Sequence, residues 1–402
     1  MEKVYIVAAK RTAIGKLVGG LTPYSPGDMG AAVIKNILGE TGINPAEVDE
    51  VICGNVLSAG QMQGVARQAA INAGIPNEVP AYGINMVCGS GMKAVINGVA
   101  DIMVGNAAVV IAGGTESMSN AGFIMHGSLR GGNKMGDIHA IDHMVCDGLT
   151  DAFNKYHMGI TAENIAEKYN ITREEQDAFS FTSQQKAIKA IDNGVFKGEI
   201  VPLENVTKKG TVVFDTDEFP NRTSTPEKMA GLRPAFKKEG TVTAGNASGV
   251  NDGASFVMLV GENKMKELGL KPMAEIVACG QGGVDPAYMG LGPVPAIRQA
   301  LKRAGMKLSE MDLIELNEAF AAQSLGVIHE LIEEYGVSRE WIDERTNIHG
   351  GAIALGHPIG ASGNRILVTL VHELINNKKE LGLASLCIGG GMGTAVIVKS
   401  CK

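Results

Sequence analysis

The sequence predicts an α/β protein made of two similar halves with a third region inserted between them. Three observations carry this. Short apolar runs at 48–52, 109–112, 276–278, 313–316 and 386–388 alternate with longer stretches of helical period and are punctuated by glycine, the pattern of buried strands between helices. An internal repeat relates Ile34, Leu38, Gly42, Val48, Asp49 and Val51, at a constant offset, to Ile297, Leu301, Gly305, Met311, Asp312 and Ile314. Each set reads as an amphipathic helix, a glycine stop, a turn and a strand. Each copy is then followed by a glycine-rich loop and by a strand that ends in glycines. The first has Val87-Cys88-Gly89-Ser90-Gly91 and later Gly113-Gly114; the second has Gly350 through Pro358 and later Gly389-Gly390-Gly391.

In chain order, Tyr5-Ile6-Val7-Ala8-Ala9 reads as a first strand, with no signal-peptide core or transit segment ahead of it. Residues 1–118 form the first half, which about 249–270 complete. Residues 119–248 form the insertion: Met- and His-containing loops from 120 to 157, then helix from about 161 to 192. Inside that helix Thr172 and Glu175 make a capping box, and Gly194 offers a stop. Residues 271–402 form the second half. No run of 18 apolar residues is present, and Lys399-Ser400-Cys401-Lys402 is neither a peroxisomal address nor a prenylation box. A cytoplasmic protein without a membrane partner is expected.

Composition narrows the function classes. The 402 residues are 45% hydrophobic, enough for a core that needs no staples. Fifty-three glycines with no G-x-y period exclude collagen and mark many places of close backbone approach. Thirty-six basic against 43 acidic residues, a net charge of −7, argue against a nucleic-acid partner, which needs Lys and Arg in excess. Six cysteines, at 53, 88, 146, 279, 387 and 401, are too sparse for a disulfide framework and suit a reducing compartment.

Three residues beside glycines are candidates for chemistry. Cys88 follows an apolar strand-like segment and precedes apolar residues at helical spacing, Met92, Val95, Val99 and Ile102. Its sulfur therefore lies near a helix N-terminus, whose amides lower a thiol's pKa. His357 stands before Pro358 at the entry to a helix through Ile366, Leu367, Leu370 and Leu374. Cys387 ends an apolar strand just before Gly389-Gly390-Gly391-Met392-Gly393, a run without the spacing of a dinucleotide fingerprint. His139, His143 and Cys146 could approach a metal, but three ligands are too few, and they read as loop residues.

These residues stand in segments that resemble the thiolases: 85–91, Asn317-Glu318-Ala319-Phe320, 350–363 around Gly356-His357-Pro358, and 386–393. The likeness continues through Arg11-Thr12, 110–119 and 243–249 and covers essentially the whole chain. Tyr156-His157-Met158-Gly159 is similar to the acyl-pocket segment of the biosynthetic acetyl-CoA C-acetyltransferase branch. The resemblance implies a five-layered α-β-α-β-α thiolase fold and a reversible Claisen condensation of two acetyl-CoA to acetoacetyl-CoA and CoA.

In that reaction Cys88 would be the nucleophile that carries the acetyl group, His357 the group that accepts the thiol proton, and Cys387 the base for the α-carbon. His357 and a water on Asn317 would stabilise the enolate, and the amides of Cys88 and Gly389 would form a second oxyanion hole. Ser248, Ala244, Leu149, His157, Met158, Phe236, Ala319 and Phe320 would line the pantetheine channel. Gap-free counting puts Asn221 where similar enzymes place an arginine near the adenine, with Arg222 one residue later: either Arg222 reaches the CoA nucleotide after a local shift, or that contact is absent and CoA affinity rests more on pantetheine and Ser248. The resemblance implies acetyl-CoA, acetoacetyl-CoA and CoA as substrates, no metal or other cofactor, and a homotetramer. The rival readings are a broader-chain 3-ketoacyl-CoA thiolase and a non-catalytic acyl-CoA-binding or lipid-binding protein on the same scaffold.

Overall fold

A computed structural model describes residues 2–207 and 210–402. Strand β1 (Val4–Thr12) leads to helix α1 (Pro26–Thr41), which Ser25 opens through a capping box with Asp28. Then come β2 (Glu50–Gly54), α2 (Val65–Asn72), β3 (Ala81–Ile84), α3 (Ser90–Val104) and β4 (Val109–Ser117). The insertion contributes α4 (Met158–Tyr169) and α5 (Arg173–Asp192), after which β5 (Asn251–Gly261) returns to pair antiparallel with both β1 and β4. The remaining chain supplies β6 (Ala274–Gly283), α6 (Pro293–Ala304), β7 (Leu313–Leu316), α7 (Ala321–Tyr335), α8 (Ile359–Asn376), β8 (Leu381–Ile388) and β9 (Met392–Ser400).

The strands run in the order β7-β8-β9-β6-β1-β5-β4-β2-β3. The order β6-β9-β8-β7 on one side repeats β1-β5-β4-β2 on the other. The two sets meet where Tyr5 and Ile6 pair with Glu275 and Ala274. The sequence repeat has a structural cause at each of its polar positions. Gly42 and Gly305 end α1 and α6 at φ +66 and +67, a left-handed turn that glycine adopts without strain. Asp49 accepts the N–H groups of Ala108 and Val109 at 2.7 and 2.9 Å. Asp312 does the same for Glu380 and Leu381 at 2.9 and 3.0 Å, so each aspartate ties the start of the neighbouring parallel strand.

Helices α3 and α8 lie between the two half-sheets. Met92, Val95, Val99 and Ile102 of α3 and Ile366, Leu367, Leu370 and Leu374 of α8 share one buried cluster with strand residues of both sides. Helices α1 and α2 cover the outer face of the first half-sheet, and α6 and α7 that of the second, giving five layers. The stretch Val87–Val104 is long and apolar enough to cross a bilayer by length and composition; it is this central helix, with 56% of the stretch buried.

Two features of the insertion depart from, or add to, the sequence reading. The helix expected over 161–192 is broken: Asn170 ends α4 at φ +52, and Thr172 caps α5 through the anticipated box with Glu175. An asparagine that tolerates the left-handed region and a threonine that bonds its own N3 amide together outcompete continuation. The insertion is also anchored to β1 by charge. Buried Arg11 donates to Glu199 at 2.6 Å and, bidentate, to Asp217 at 2.6 and 2.9 Å.

Candidate active site

One cavity of about 460 Å³ is lined from both halves and from the insertion, and it holds Cys88, His357, Cys387 and Gly389 together. Cys88 lies just ahead of α3, and the turn that presents it is strained. Val87 has φ +46, a conformation that a β-branched residue rarely adopts. Side chains hold it there. Asn85 Oδ1 accepts the Val87 N–H at 3.0 Å, while Ser90 Oγ accepts from Met86 N at 2.9 Å and donates to Val87 O at 2.6 Å. At Gly91 a Cβ would lie 2.9 Å from Gly360 O, so glycine lets α3 approach the start of α8 and bring the two loops together.

Cys88 is exposed only in part. Burial pushes its thiol up to about 11, against the backbone amides of Gly389 and of Cys88 itself, which pull it down. The expected lowering by the helix N-terminus is thus present in kind but outweighed by desolvation. Cys387, at the end of β8 and 1% exposed, is raised by burial first and by the nearby Cys88 second.

His357 is buried, and the desolvation of its ring, followed by the charge of Arg365, pushes it down to about 3, so it is neutral at physiological pH. Its main chain and its ring are held separately. The backbone N–H donates to Asn251 Oδ1 at 2.9 Å, and ring Nδ1 lies 2.6 Å from Ser362 Oγ. Nε2 is buried without a hydrogen-bond partner among the described residues. The preceding Gly356 has φ +104, and a Cβ there would lie 2.5 Å from the Asn251 side chain, so only glycine permits this bond.

Asn317, one residue beyond β7, is 1% exposed, and both of its amide atoms lack a partner among the described residues. It does not itself line the cavity. A buried amide in that state is suited to holding a water molecule.

The remaining candidates divide. Leu149, His157, Met158, Phe236, Ala244, Ser248, Ala319 and Phe320 all line the cavity. His157 stacks on Phe236, ring centroids 4.5 Å apart, and Phe320 meets Phe236 edge-on at 6.1 Å. Ser248 N donates to Ala319 O at 2.9 Å, which docks the 244–248 loop on the segment after β7. Arg222 is elsewhere: it makes a bidentate pair with Asp192 at 3.1 and 2.6 Å on the exposed surface. A second cavity of about 630 Å³ shares Phe219 and Ala244 with the first and is lined by Lys16, Asn221, Ser224 and Lys228. His143 bonds Asp147 at 2.7 Å and accepts from Ala59 N at 3.4 Å, while His139 and Cys146 are exposed.

Sequence reasoning did not single out Asn251, Ser362 or Glu116. Glu116 is buried and accepts from Asn55 Nδ2, Val56 N, Leu57 N and Gly360 N at 2.9 to 3.1 Å, tying β4 to the loop after β2 and to the start of α8.

The chain is similar along nearly its whole length to known proteins of one family. Residues 4–263 match the family model of the thiolase N-terminal domain, and 270–400 that of the thiolase C-terminal domain. An acetyl-CoA acetyltransferase of Pseudomonas aeruginosa is 55% identical over 98% of this chain and 99% of its own. The structure of acetyl-CoA acetyltransferase from Syntrophomonas wolfei superposes with a TM-score of 0.96 at 41% identity, over all of both chains. Human mitochondrial 3-ketoacyl-CoA thiolase in complex with CoA gives 0.93 at 43% identity, over 100% of this chain and 98% of that one. With family models matched along nearly its whole length and the five-layered architecture in place, the chain belongs to the thiolase family, whose members are acyltransferases.

Proposed function

We infer that the protein is an acetyl-CoA C-acetyltransferase, joining two acetyl-CoA into acetoacetyl-CoA and CoA and running the reverse thiolysis. The observation that carries the reading is one cavity holding two cysteines, a neutral histidine and converging backbone amides, in a chain 52–55% identical to relatives named acetyl-CoA acetyltransferase. Cys88 Sγ attacks the thioester carbonyl as His357 Nε2 takes its proton. The bond to the CoA sulfur then breaks, and that proton leaves with CoA, so acetyl-Cys88 remains. Cys387, reacting as its thiolate, takes a proton from the α-carbon of a second acetyl-CoA, and the carbanion attacks acetyl-Cys88. The released Cys88 thiolate recovers the proton from Cys387. His357 and a water on Asn317 stabilise the enolate oxygen, and the amides of Cys88 and Gly389 the tetrahedral one.

The pantetheine arm runs along Leu149, His157, Phe236, Ala244, Ser248, Ala319 and Phe320. Its nucleotide enters the adjoining cavity, where Lys16 and Lys228 supply positive charge, while Arg222 pairs with Asp192 beside it. Met158 packs with Ala319, Phe320 and Cys387 against the reacting end, which favours a short acyl chain over the broader-chain reading. The substrates serve without a metal or further cofactor. A homotetramer is supported by the hairpin of Phe123–Met125 and Ala140–Asp142, which exposes Phe123 and Met125, and six free cysteines suit the cytoplasm. Steady-state assays in both directions across acyl lengths test the reading. Acetoacetyl-CoA should be cleaved well and 3-ketohexadecanoyl-CoA poorly; equal rates would favour the broader-chain enzyme.

A further inference from the structure

Among the described residues the ring of His357 has a single hydrogen-bond partner, and that partner is a hydroxyl. Ser362 Oγ lies 2.6 Å from Nδ1 and 2.9 Å from Pro358 O. A backbone carbonyl only accepts, so the one hydroxyl hydrogen belongs on the Pro358 contact; without it two oxygens' lone pairs would face each other at 2.9 Å. Ser362 Oγ therefore meets the ring as an acceptor, and Nδ1 carries the hydrogen. Nε2 is left with a lone pair, buried and unpartnered among the described residues, in a side chain that lines the cavity with Cys88.

The chain of bonds ends at Pro358 O, just ahead of α8, and reaches no carboxylate. The charged group acting on the ring is Arg365, one turn further along α8, which repels a second proton. From the other packed element, β5, Asn251 contributes a neutral amide to the His357 backbone. Cys88, Cys387 and His157 are the other titratable groups that line the cavity.

We propose that Ser362 is a positioning residue that fixes His357 in the Nδ1–H form and keeps the Cys88–His357 pair neutral until substrate arrives. In charged triads a carboxylate does the orienting and also stabilises the imidazolium. A hydroxyl tied to a carbonyl orients equally well but stabilises the cation less, so proton transfer waits for the thioester. The proposal rests on the acetyl-transfer reading above.

Three variants test it, with thermal unfolding recorded for each. In Ser362→Ala, release of CoA in the first turnover with acetyl-CoA should slow at least about tenfold, with KM changed less than about twofold. Ser362→Thr restores the hydroxyl and should recover most of the rate. Ser362→Asp should raise the alkylation rate of Cys88 by iodoacetamide near pH 7 and add an acid limb to the pH profile. Independently of activity, 15N spectra of histidine-labelled protein, with His357 assigned from a His357→Asn variant, should show Nδ1 protonated in the wild type and a tautomer mixture in Ser362→Ala. A wild-type Nε2–H ring, or an Ala variant acylating at the wild-type rate, overturns the role of Ser362. Failure of the wild type to form acetyl-Cys88 overturns the acetyl-transfer reading instead.

Discussion

At the scale of single residues, the site pairs a thiol that holds its proton with an imidazole that declines one. Burial raises Cys88 to about 11 and lowers His357 to about 3, so both are neutral across the physiological range. Reactivity of Cys88 in the free protein should therefore follow hydroxide. Its alkylation by iodoacetamide is expected to climb about tenfold per pH unit through pH 9, and a plateau below pH 7.5 would show a preformed thiolate instead. The cysteines and histidine were legible in the sequence because glycines must flank groups that backbone approaches closely. Their electrostatics were not legible. The helix N-terminus beside Cys88 could be read from periodicity, whereas its desolvation depends also on Ile388 and Met158, which come from two distant segments. Ser362 and Asn251 were missed for the same reason: each acts through a bond whose geometry only the fold creates.

At the scale of elements, the site depends on loops pinned to strand ends and helix starts. Gly356→Ala would force a side chain into Asn251 from a backbone conformation that only glycine adopts readily. Turnover should fall more than about tenfold while the His357 ring partner remains, as kcat measured beside thermal unfolding would show. Glu116→Ala would leave the amides of Val56, Leu57 and Gly360 without their acceptor. A loss of about 2–5 kcal/mol is expected in denaturant unfolding. A change below about 0.5 kcal/mol would mean that water replaces the carboxylate there. The repeated elements were readable because a glycine stop and a strand-tying aspartate serve the same local purpose in each copy. The interruption at Asn170 was signalled by the capping box of Thr172 and Glu175, which opens a new helix rather than lying inside one.

At the scale of the whole molecule, the insertion and the two halves meet around buried charge. Glu315 on β7 and Glu373 on α8 face Arg365, with Glu199 and Lys186 contributed from the insertion. Burial raises Glu315 to about 8 and Glu373 well above the usual carboxylate range. The folded state thus holds protons that the unfolded chain releases near about 4.3. That stability is complete below the unfolded value and is lost as pH rises through about 8. Melting temperature should therefore fall from pH 5 to 9, and Glu373→Gln, neutral throughout, should flatten the slope; parallel curves would assign the protons elsewhere. The central claim is that Cys88 carries the acetyl group and Cys387 activates the second substrate. Intact-protein mass spectrometry after mixing with acetyl-CoA tests it most directly. The wild type and Cys387→Ala should gain one acetyl group, Cys88→Ala none, and Cys387→Ala should form no acetoacetyl-CoA; acetylation persisting in Cys88→Ala would contradict the account.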